Sequence, residues 1–582
     1  MAAATTHPAA AQRSLSPVHH EPARSPLQAR GRSIFINHGY TRELHTLGKP
    51  VDGRARTPLV YAIPPQMSTT LPTRPASEDP PSSVDGGGEH VHVAIVGAGF
   101  GGVGTAIRLK QVGIDDFVIL ERADDIGGTW RDNTYPGCTC DVQSHLYSFS
   151  FAPNPRWSRT FSPQPEIWAY IKRIAHEHGV MPHVRPGHEM RGAEWDDGAQ
   201  RWRIDTARGP VTARVLVLAS GALSDPVIPP LKGMETFRGA AFHSAHWDHG
   251  FDLAGKRVAV IGTGASAIQF VPAIQPLVAR LHLFQRTPPW VMPRHERDIG
   301  ERTHGLFRRV PAAQRLVRGA IYLQREATLG LFRHPAAMRL AQHAALRHLR
   351  KTIGDPVLRR KLTPNFTMGC KRVLLSNEYY PALAQPNVEV VTEGVAEVRE
   401  HSVVSADGVE RPVDAIIFGT GFRPTDPPLA PFVRGRGGVS LTDAWAGSPR
   451  ALAGTTVAGF PNLFILMGPN TGLGHTSVLY MLEAQIDHVL GALAHMRDAR
   501  LGAVEPRAEA QAAYVDSVDR RMRGTVWVSG GCASWYIDAT GRNSTLWPDS
   551  TYRFRQRVAR FRPHEYRGEP ARDPSPSTPV AG

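Results

Sequence analysis

Cysteine is scarce in this 582-residue chain: four occur, at Cys138, Cys140, Cys370 and Cys532. So few thiols argue against a disulfide framework and fit a reducing cytoplasm, where the protein is expected to reside. Cys138 and Cys140 form a C-x-C, but no second Cys or His cluster stands near enough to complete four ligands, so no metal site is expected. Long apolar runs are also missing. The nearest to one, residues 451–467, is broken by Thr455, Thr456, Pro461 and Asn462, which excludes an integral membrane segment there; Leu463–Met467 reads as a buried strand. The first residues lack the apolar core of a signal peptide. Zinc-finger spacings are absent, and the arginines are scattered, which argues against a nucleic-acid partner despite a net charge of +15. A basic surface equally attracts anionic small molecules such as phosphorylated cofactors.

What is present is an ordinary globular composition, 41% hydrophobic and 20% charged, in a chain long enough for two to four domains. Residues 1–88 differ: rich in Pro, Ser, Ala and Arg, without a sustained period of 2 or 3.6, they are expected to be a disordered tail. Met67 opens a polar lead-in to the folded part and is the expected start of translation; the intact mass of native protein would check this.

The first folded unit is a strand at Val91–Val96, GAGFGG at Gly97–Gly102, a helix at Val103–Val112 and a strand at Phe117–Leu120 ending in Glu121. This is a βαβ dinucleotide-binding pattern. Gly97 allows the tight turn, Gly99 lets backbone approach a pyrophosphate, Gly102 lets helix and strand pack closely, and Glu121 is placed to accept from a ribose hydroxyl. DDIGGTWRDNTYPGCTCD follows, from Asp124 to Asp141; Gly-Gly and Pro-Gly bring backbone close to a planar ring, with Trp130 as a flat wall. A helix is expected over Gln164–His178 and a hairpin over Trp195–Asp205. A strand at Val215–Leu218 leads into the Pro-rich hinge DPVIPP.

A second βαβ unit starts at the strand Arg257–Ile261, with GTGASA at Gly262–Ala267 and a helix over Ser266–Ile274. Its next strand, Arg280–Phe284, ends in Gln285-Arg286-Thr287. An acid here would suit NAD; arginine with a neighbouring hydroxyl suits the 2′-phosphate of NADPH, because guanidinium pairs with phosphate in a two-point fashion. Between the two cradles lies the stretch on which the chain is organised, Phe237–Asp248, FRGAAFHSAHWD. Residues 296–363, dense in Arg, His, Leu and Ala, read as two or three amphipathic helices covering the active site; a membrane-surface role is the other reading.

The stretch matches F-x-G-x-x-x-H-x-x-x-W followed by Pro or Asp at Phe237, Gly239, His243, Trp247 and Asp248. With Gly127, Gly128, Trp130, Tyr135, Pro136, Gly137 and Asp141, it makes residues 89–560 resemble the Baeyer–Villiger monooxygenases, class B flavin-dependent monooxygenases. The resemblance implies an α/β fold of two Rossmann-like domains, for FAD and NADPH, with a helical insertion. It assigns Gly97, Gly99, Phe100, Gly102, Glu121, Gly128, Thr129, Trp130, Asp141 and Tyr147 to FAD. To NADPH it assigns Thr139, Cys140, Gly262, Thr263, Gly264, Ala265, Ser266, Ala267, Arg286, Thr287 and Lys371. Phe237–Asp248 becomes a linker coupling domain movement to catalysis. In NFTMGCKRVLLSNEYY, Asn365–Tyr380, it places the active-site arginine at Arg372, held by Asp141. DAIIFGTGF, Asp414–Phe422, becomes the return crossover, and GPNTGLGHTSVL, Gly468–Leu479, a turn by the flavin followed by the helix Met481–Leu493. The aromatic segment from Gly530 becomes a wall of the substrate pocket.

The implied division is a tail at 1–88, an FAD domain at 89–229 and 422–565, an NADPH domain at 230–295 and 364–421, the insertion at 296–363, and a tail at 566–582. The implied reaction inserts one atom of O2 beside a ketone carbonyl through a peroxyflavin, giving an ester or lactone. Two alternatives stand beside it: oxidation of sulfur or nitrogen in a small molecule with the same cofactors, and a flavin-binding protein without turnover. A two-cysteine disulfide reductase is disfavoured, because no C-x-x-x-x-C follows Gly128.

Overall fold

A computed structural model describes residues 89–423 and 425–572. The expected tail at 1–88 and the start at Met67 lie outside the described residues.

Two separate sheets carry the glycine-rich turns. The first runs, in spatial order, Val433–Arg434, Met190–Asp196, Arg201–Thr206, Val211–Leu218, Glu89–Val96, Phe117–Leu120, Val184–Arg185, with Leu463–Ile465 also pairing to Val211–Leu218. Its centre is parallel: Val96 lies opposite Leu120 on one side and Leu218 on the other. Strands buried on both faces must be apolar, which is why VAIV, FVIL and VLVL read as runs rather than alternations. The second sheet, Val388–Val391, Arg280–Phe284, Arg257–Ile261, Ala415–Phe418, Ala240–His243, is parallel throughout. Mixed and parallel sheets flanked by helices are the two Rossmann-like layers. Both glycine turns sit at the carboxyl ends of their central strands, where such sheets bind ligands.

Most local expectations differ from the structure by a turn or less. The first helix runs Phe100–Gln111, starting inside the glycine motif. The amphipathic helix Gln164–Glu177 buries Ile167, Tyr170, Ile171 and Ile174. The expected hairpin is part of a three-stranded meander whose last strand is Val211–Leu218. The helix expected over Met481–Leu493 spans Val478–Asp498, because Ser477 caps it and apolar residues continue on most of its faces.

Three expectations are corrected. The insertion holds five helices, not two or three: Glu301–Arg309, Pro311–Ala327, Leu329–Arg333, Pro335–Thr352 and Pro356–Lys361. Proline opens three of them, a position that tolerates its missing N–H but ends whatever precedes it. Tyr566–Pro570 is not tail: it pairs antiparallel with Leu501–Pro506, and Tyr566 is buried. Finally, Cys370 and Cys532 are joined in a disulfide, 162 residues apart, while Cys138 and Cys140 are buried free thiols. A low cysteine count says nothing about which two the fold brings together.

Candidate active site

In both cradles a glycine lacks a side chain because backbone occupies its place. A Cβ on Gly102 would stand 1.9 Å from the Gly97 carbonyl oxygen, and one on Gly262 2.5 Å from that of Gly419. Gly128 faces Gly99, its added Cβ 3.1 Å from the Gly99 Cα, so the GGTW segment lies against the first cradle. Glu121 is buried; its carboxylate accepts from the Ala98 and Ala123 N–H groups at 2.7 and 3.0 Å and from Arg131 at 3.0 Å. About four lone-pair sites per carboxylate leave one for a ribose hydroxyl. Arg131, which also donates to the Asp125 carbonyl, was not singled out in the sequence, where it is one arginine among many. Phe100, Trp130 and Tyr147 form one aromatic cluster: the Trp130 indole donates to the Tyr147 hydroxyl at 3.1 Å, and Phe100 meets Tyr147 edge-on. Thr129 opens a short helix whose end is tied by Asn133 donating to the Thr129 carbonyl.

The second cradle exposes Gly264 and Ala265 at the start of the helix Ala267–Ile274, with Ser266 preceding it. Thr263 donates to the Thr287 carbonyl at 3.2 Å, which fixes the strand end bearing exposed Arg286. Burial, and then the positive charge of Arg286, push the Lys371 ammonium below its ordinary value. Two cations that feel each other's charge are better accommodated with an anion between them, which suits a 2′-phosphate.

The loop Thr134–Asp141 was expected to use Pro136-Gly137 against a planar ring. Instead, a Cβ on Gly137 would stand 2.8 Å from the Gln269 carbonyl oxygen, in the helix of the second cradle. Gln269 clamps the loop: its Oε1 accepts from the Tyr135 hydroxyl at 3.0 Å and the Thr139 N–H at 3.2 Å, and its amide donates to the Thr139 carbonyl at 2.9 Å. Thus Thr139 and Asp141 are carried by the first domain but also held by the second, while Cys140 is tied to its own domain, its N–H donating to the Ser162 carbonyl at 3.0 Å. Cys140 is fully enclosed, and burial raises its thiol well above the ordinary range, so it stays protonated.

Asp141 reaches Arg372, which donates from Nε and Nη2 to its two carboxylate oxygens. That carboxylate holds the guanidinium above even its usual high value. Two further groups approach the pair and were not identified as site residues from sequence. Arg325, from the helical insertion, donates to Gln143 at 2.7 Å and to the Asp141 carbonyl at 3.4 Å. Tyr536 is buried within electrostatic reach of both; burial pushes its hydroxyl up to about 12, and Arg372 opposes that rise. The Cys370–Cys532 bridge fastens the segment bearing Lys371 and Arg372 to the one bearing Tyr536.

The stretch expected to be a linker is built into the second sheet. Ala240–His243 is its edge strand, paired with Ala415–Phe418. Gly239 admits no side chain: a Cβ would lie 2.4 Å from the Asp414 carbonyl oxygen and 2.5 Å from the Phe237 ring. Trp247 packs on Phe242 and Phe270, while Asp248 is exposed and accepts from the Gly250 N–H. His243 is buried, its Nδ1 accepting from the Ala245 N–H and its ring edge-on to Phe422. Burial, with His246 beside it, pushes it down to about 4, which leaves it neutral and suits a structural role.

Two Rossmann-like cradles whose loops interlock around a half-buried cation and carboxylate define an oxidoreductase of the kind that binds two dinucleotides. Residues 94–300 match the family described as pyridine nucleotide-disulphide oxidoreductase. The chain is 52% identical to a Baeyer–Villiger monooxygenase of Streptomyces coelicolor over 82% of this chain and 92% of that one. It is 52% identical to one of Pseudomonas aeruginosa, over 81% and 90%. Its fold is similar to the crystal structure of cyclohexanone monooxygenase from Rhodococcus sp. Phi1 bound to NADP+, with TM-score 0.75 and 28% identity, over 83% of this chain and all of that one. An oxidised steroid monooxygenase bound to NADP follows at TM-score 0.74 and 29% identity, over 82% and 99%. The chain belongs to the Baeyer–Villiger monooxygenase family.

Proposed function

We propose that this protein uses FAD and NADPH to insert one atom of dioxygen beside the carbonyl of a ketone. Ketone, O2, NADPH and a proton give ester or lactone, water and NADP+. FAD and NADPH supply, when bound, the redox chemistry of dioxygen activation. The chain's own residues do the rest. Gly97, Gly99, Gly102 and Glu121 hold FAD beside Phe100, Trp130 and Tyr147. The turn Gly262–Ala267, with Thr287, holds NADPH, and Arg286 and Lys371 take its 2′-phosphate. Arg372 offers fixed donors and permanent charge to the oxygen on which negative charge develops, and Asp141 holds that guanidinium in one orientation.

The observation that carries the reading is the two-point Arg372–Asp141 pair on a loop clamped by Gln269, where both cradles contribute to one site. The test incubates the full chain with NADPH in air and a panel of linear, cyclic and aryl ketones beside one thioether, with products identified by mass spectrometry. Ester or lactone formation is the expected result. Sulfoxide alone would assign the chain to heteroatom oxidation; no NADPH consumption with any substrate would leave binding without turnover.

A further inference from the structure

The helix Pro311–Ala327 is folded with its polar face inward. Gln314, Arg318, Tyr322, Arg325 and Glu326 recur at the spacing of one helix face, and each is engaged by the body of the protein. Gln314 donates to the Asn154 carbonyl at 2.7 Å, and Arg318 to the His145 and Ser148 carbonyls at 2.8 Å. Tyr322 stacks on Tyr480, and Glu326 accepts from Thr551 at 2.6 Å and lies 3.1 Å from the buried His475.

The opposite face is apolar and turned outward. Ala312, Leu316, Ala320, Leu323 and Ala327 follow one another at intervals of 4, 4, 3 and 4, all exposed. Leu316 is 75% exposed and Leu323 67%. Val310, directly before the helix, and Leu306, in the helix Glu301–Arg309 packed against it, are exposed as well. An ordinary surface helix has the reverse arrangement, and exposed leucines in series mark a surface that something covers.

Charge identifies what covers it. Residues 301–352 contain eleven Lys and Arg but only two acids, Glu301 and Glu326, and Glu326 is the one turned inward. Arg308 and Arg309, just before the helix, and Arg315 within it stand exposed beside these leucines. Outward leucines flanked by arginine are the pattern of a helix lying in the interface of an anionic bilayer. Among the described residues no helix is long and apolar enough to cross one. We infer that this face docks the protein peripherally on an anionic lipid surface. The inner face of the same helix carries Arg325 onto the Asp141 loop, so the docked surface lies one helix thickness from the proposed catalytic pair, suiting an apolar ketone drawn from the bilayer.

The test is co-sedimentation of the full chain with vesicles of phosphatidylcholine alone or with one-third phosphatidylglycerol, at low and high salt. Binding is expected only to the anionic vesicles, weakened by salt, and at least tenfold weaker for the Leu316→Glu/Leu323→Glu double variant. Both positions are largely exposed, so that variant should retain its far-ultraviolet spectrum and NADPH consumption. Equal binding by wild type and variant would assign the affinity to another part of the chain and overturn the inference, as would no binding to anionic vesicles. A wild-type dimer by light scattering that the variant converts to monomer, without vesicle binding, would make the face a contact between copies instead. The readout is sedimentation, so either failure leaves the proposed reaction untouched.

Discussion

Arg372 donates two parallel hydrogen bonds of 2.8 Å to the two carboxylate oxygens of Asp141, from 231 residues away in sequence. The pairing orients the guanidinium rather than neutralising it, because arginine stays protonated throughout the accessible pH range. Its outward donors are left for a reacting oxygen. Arg372→Ala should therefore retain bound FAD, read from its visible spectrum, and lose about 100- to 1000-fold in ester formation. Arg372→Lys keeps charge but not the two-point geometry and should fall between. A normal ester yield from the alanine variant would remove Arg372 from the mechanism.

The positive charge that Lys371 feels from Arg286 makes a prediction about coenzyme choice. Removing a charged partner from a phosphate costs about 1.5–3 kcal/mol, so Arg286→Ala should raise KM for NADPH about 10- to 100-fold and leave that for NADH nearly unchanged. Lys371 also titrates below the ordinary lysine range, through burial first and Arg286 second. As pH rises it loses its proton early, so KM for NADPH should climb at lower pH than for an unperturbed lysine. In Arg286→Ala the repulsion is gone and the climb should shift to higher pH. An unshifted profile would show that Arg286 does not act on Lys371, and an unchanged KM for NADPH would remove Arg286 from the phosphate site.

How much of this was legible in the sequence depends on the range of the signal. Gly97 to Glu121 could be read because a βαβ unit is local: strand, turn, helix and terminal acid follow within one short stretch. Phe237, Gly239 and Trp247 were legible as a pattern, but their reason was not; it lies in the Asp414 carbonyl and the Phe270 ring, which only the folded sheet brings near. Gln269 looked like any helical glutamine, and nothing set Tyr536 apart from the other aromatics of the segment from Gly530, since their roles come from partners 130 or more residues away. The amphipathic character of residues 296–363 was legible, yet periodicity cannot say which face is turned inward, and the usual assumption fails in Pro311–Ala327. Cys370–Cys532 and the strand Tyr566–Pro570 are equally products of tertiary contact.

Gln269 holds the loop of Thr139 and Asp141 through three hydrogen bonds from the other domain. Gln269→Leu keeps the size and removes the clamp, leaving the Thr139 N–H without its partner, at a cost of about 1–3 kcal/mol. Because the loop carries Asp141, the variant should still consume NADPH but release a several-fold larger share of it as hydrogen peroxide rather than ester, measured by a peroxide assay on the same samples. Unchanged coupling would show that the loop keeps its position without Gln269.

His488 supplies a pH dependence of stability with a definite sign. It is buried with its Nδ1 2.8 Å from the Val558 carbonyl and its Nε2 2.8 Å from the Tyr566 hydroxyl. A carbonyl can only accept, so Nδ1 carries the proton and Nε2 accepts from tyrosine, which in turn can accept from Thr456 at 2.9 Å. A second proton would have to displace the tyrosine donor, and burial pushes the ring down to about 4. The unfolded chain protonates this histidine near pH 6.5, so between that pH and about 4 it binds more protons than the folded chain, and stability falls as pH falls. Melting temperature should thus decline steadily over this window. His488→Gln starts lower, having a weaker hold on Tyr566 and hence on the strand Tyr566–Pro570, but its slope should be shallower by one proton. An unchanged slope would mean that His488 is already charged in the folded protein, and its hydrogen bonds would have to be reassigned.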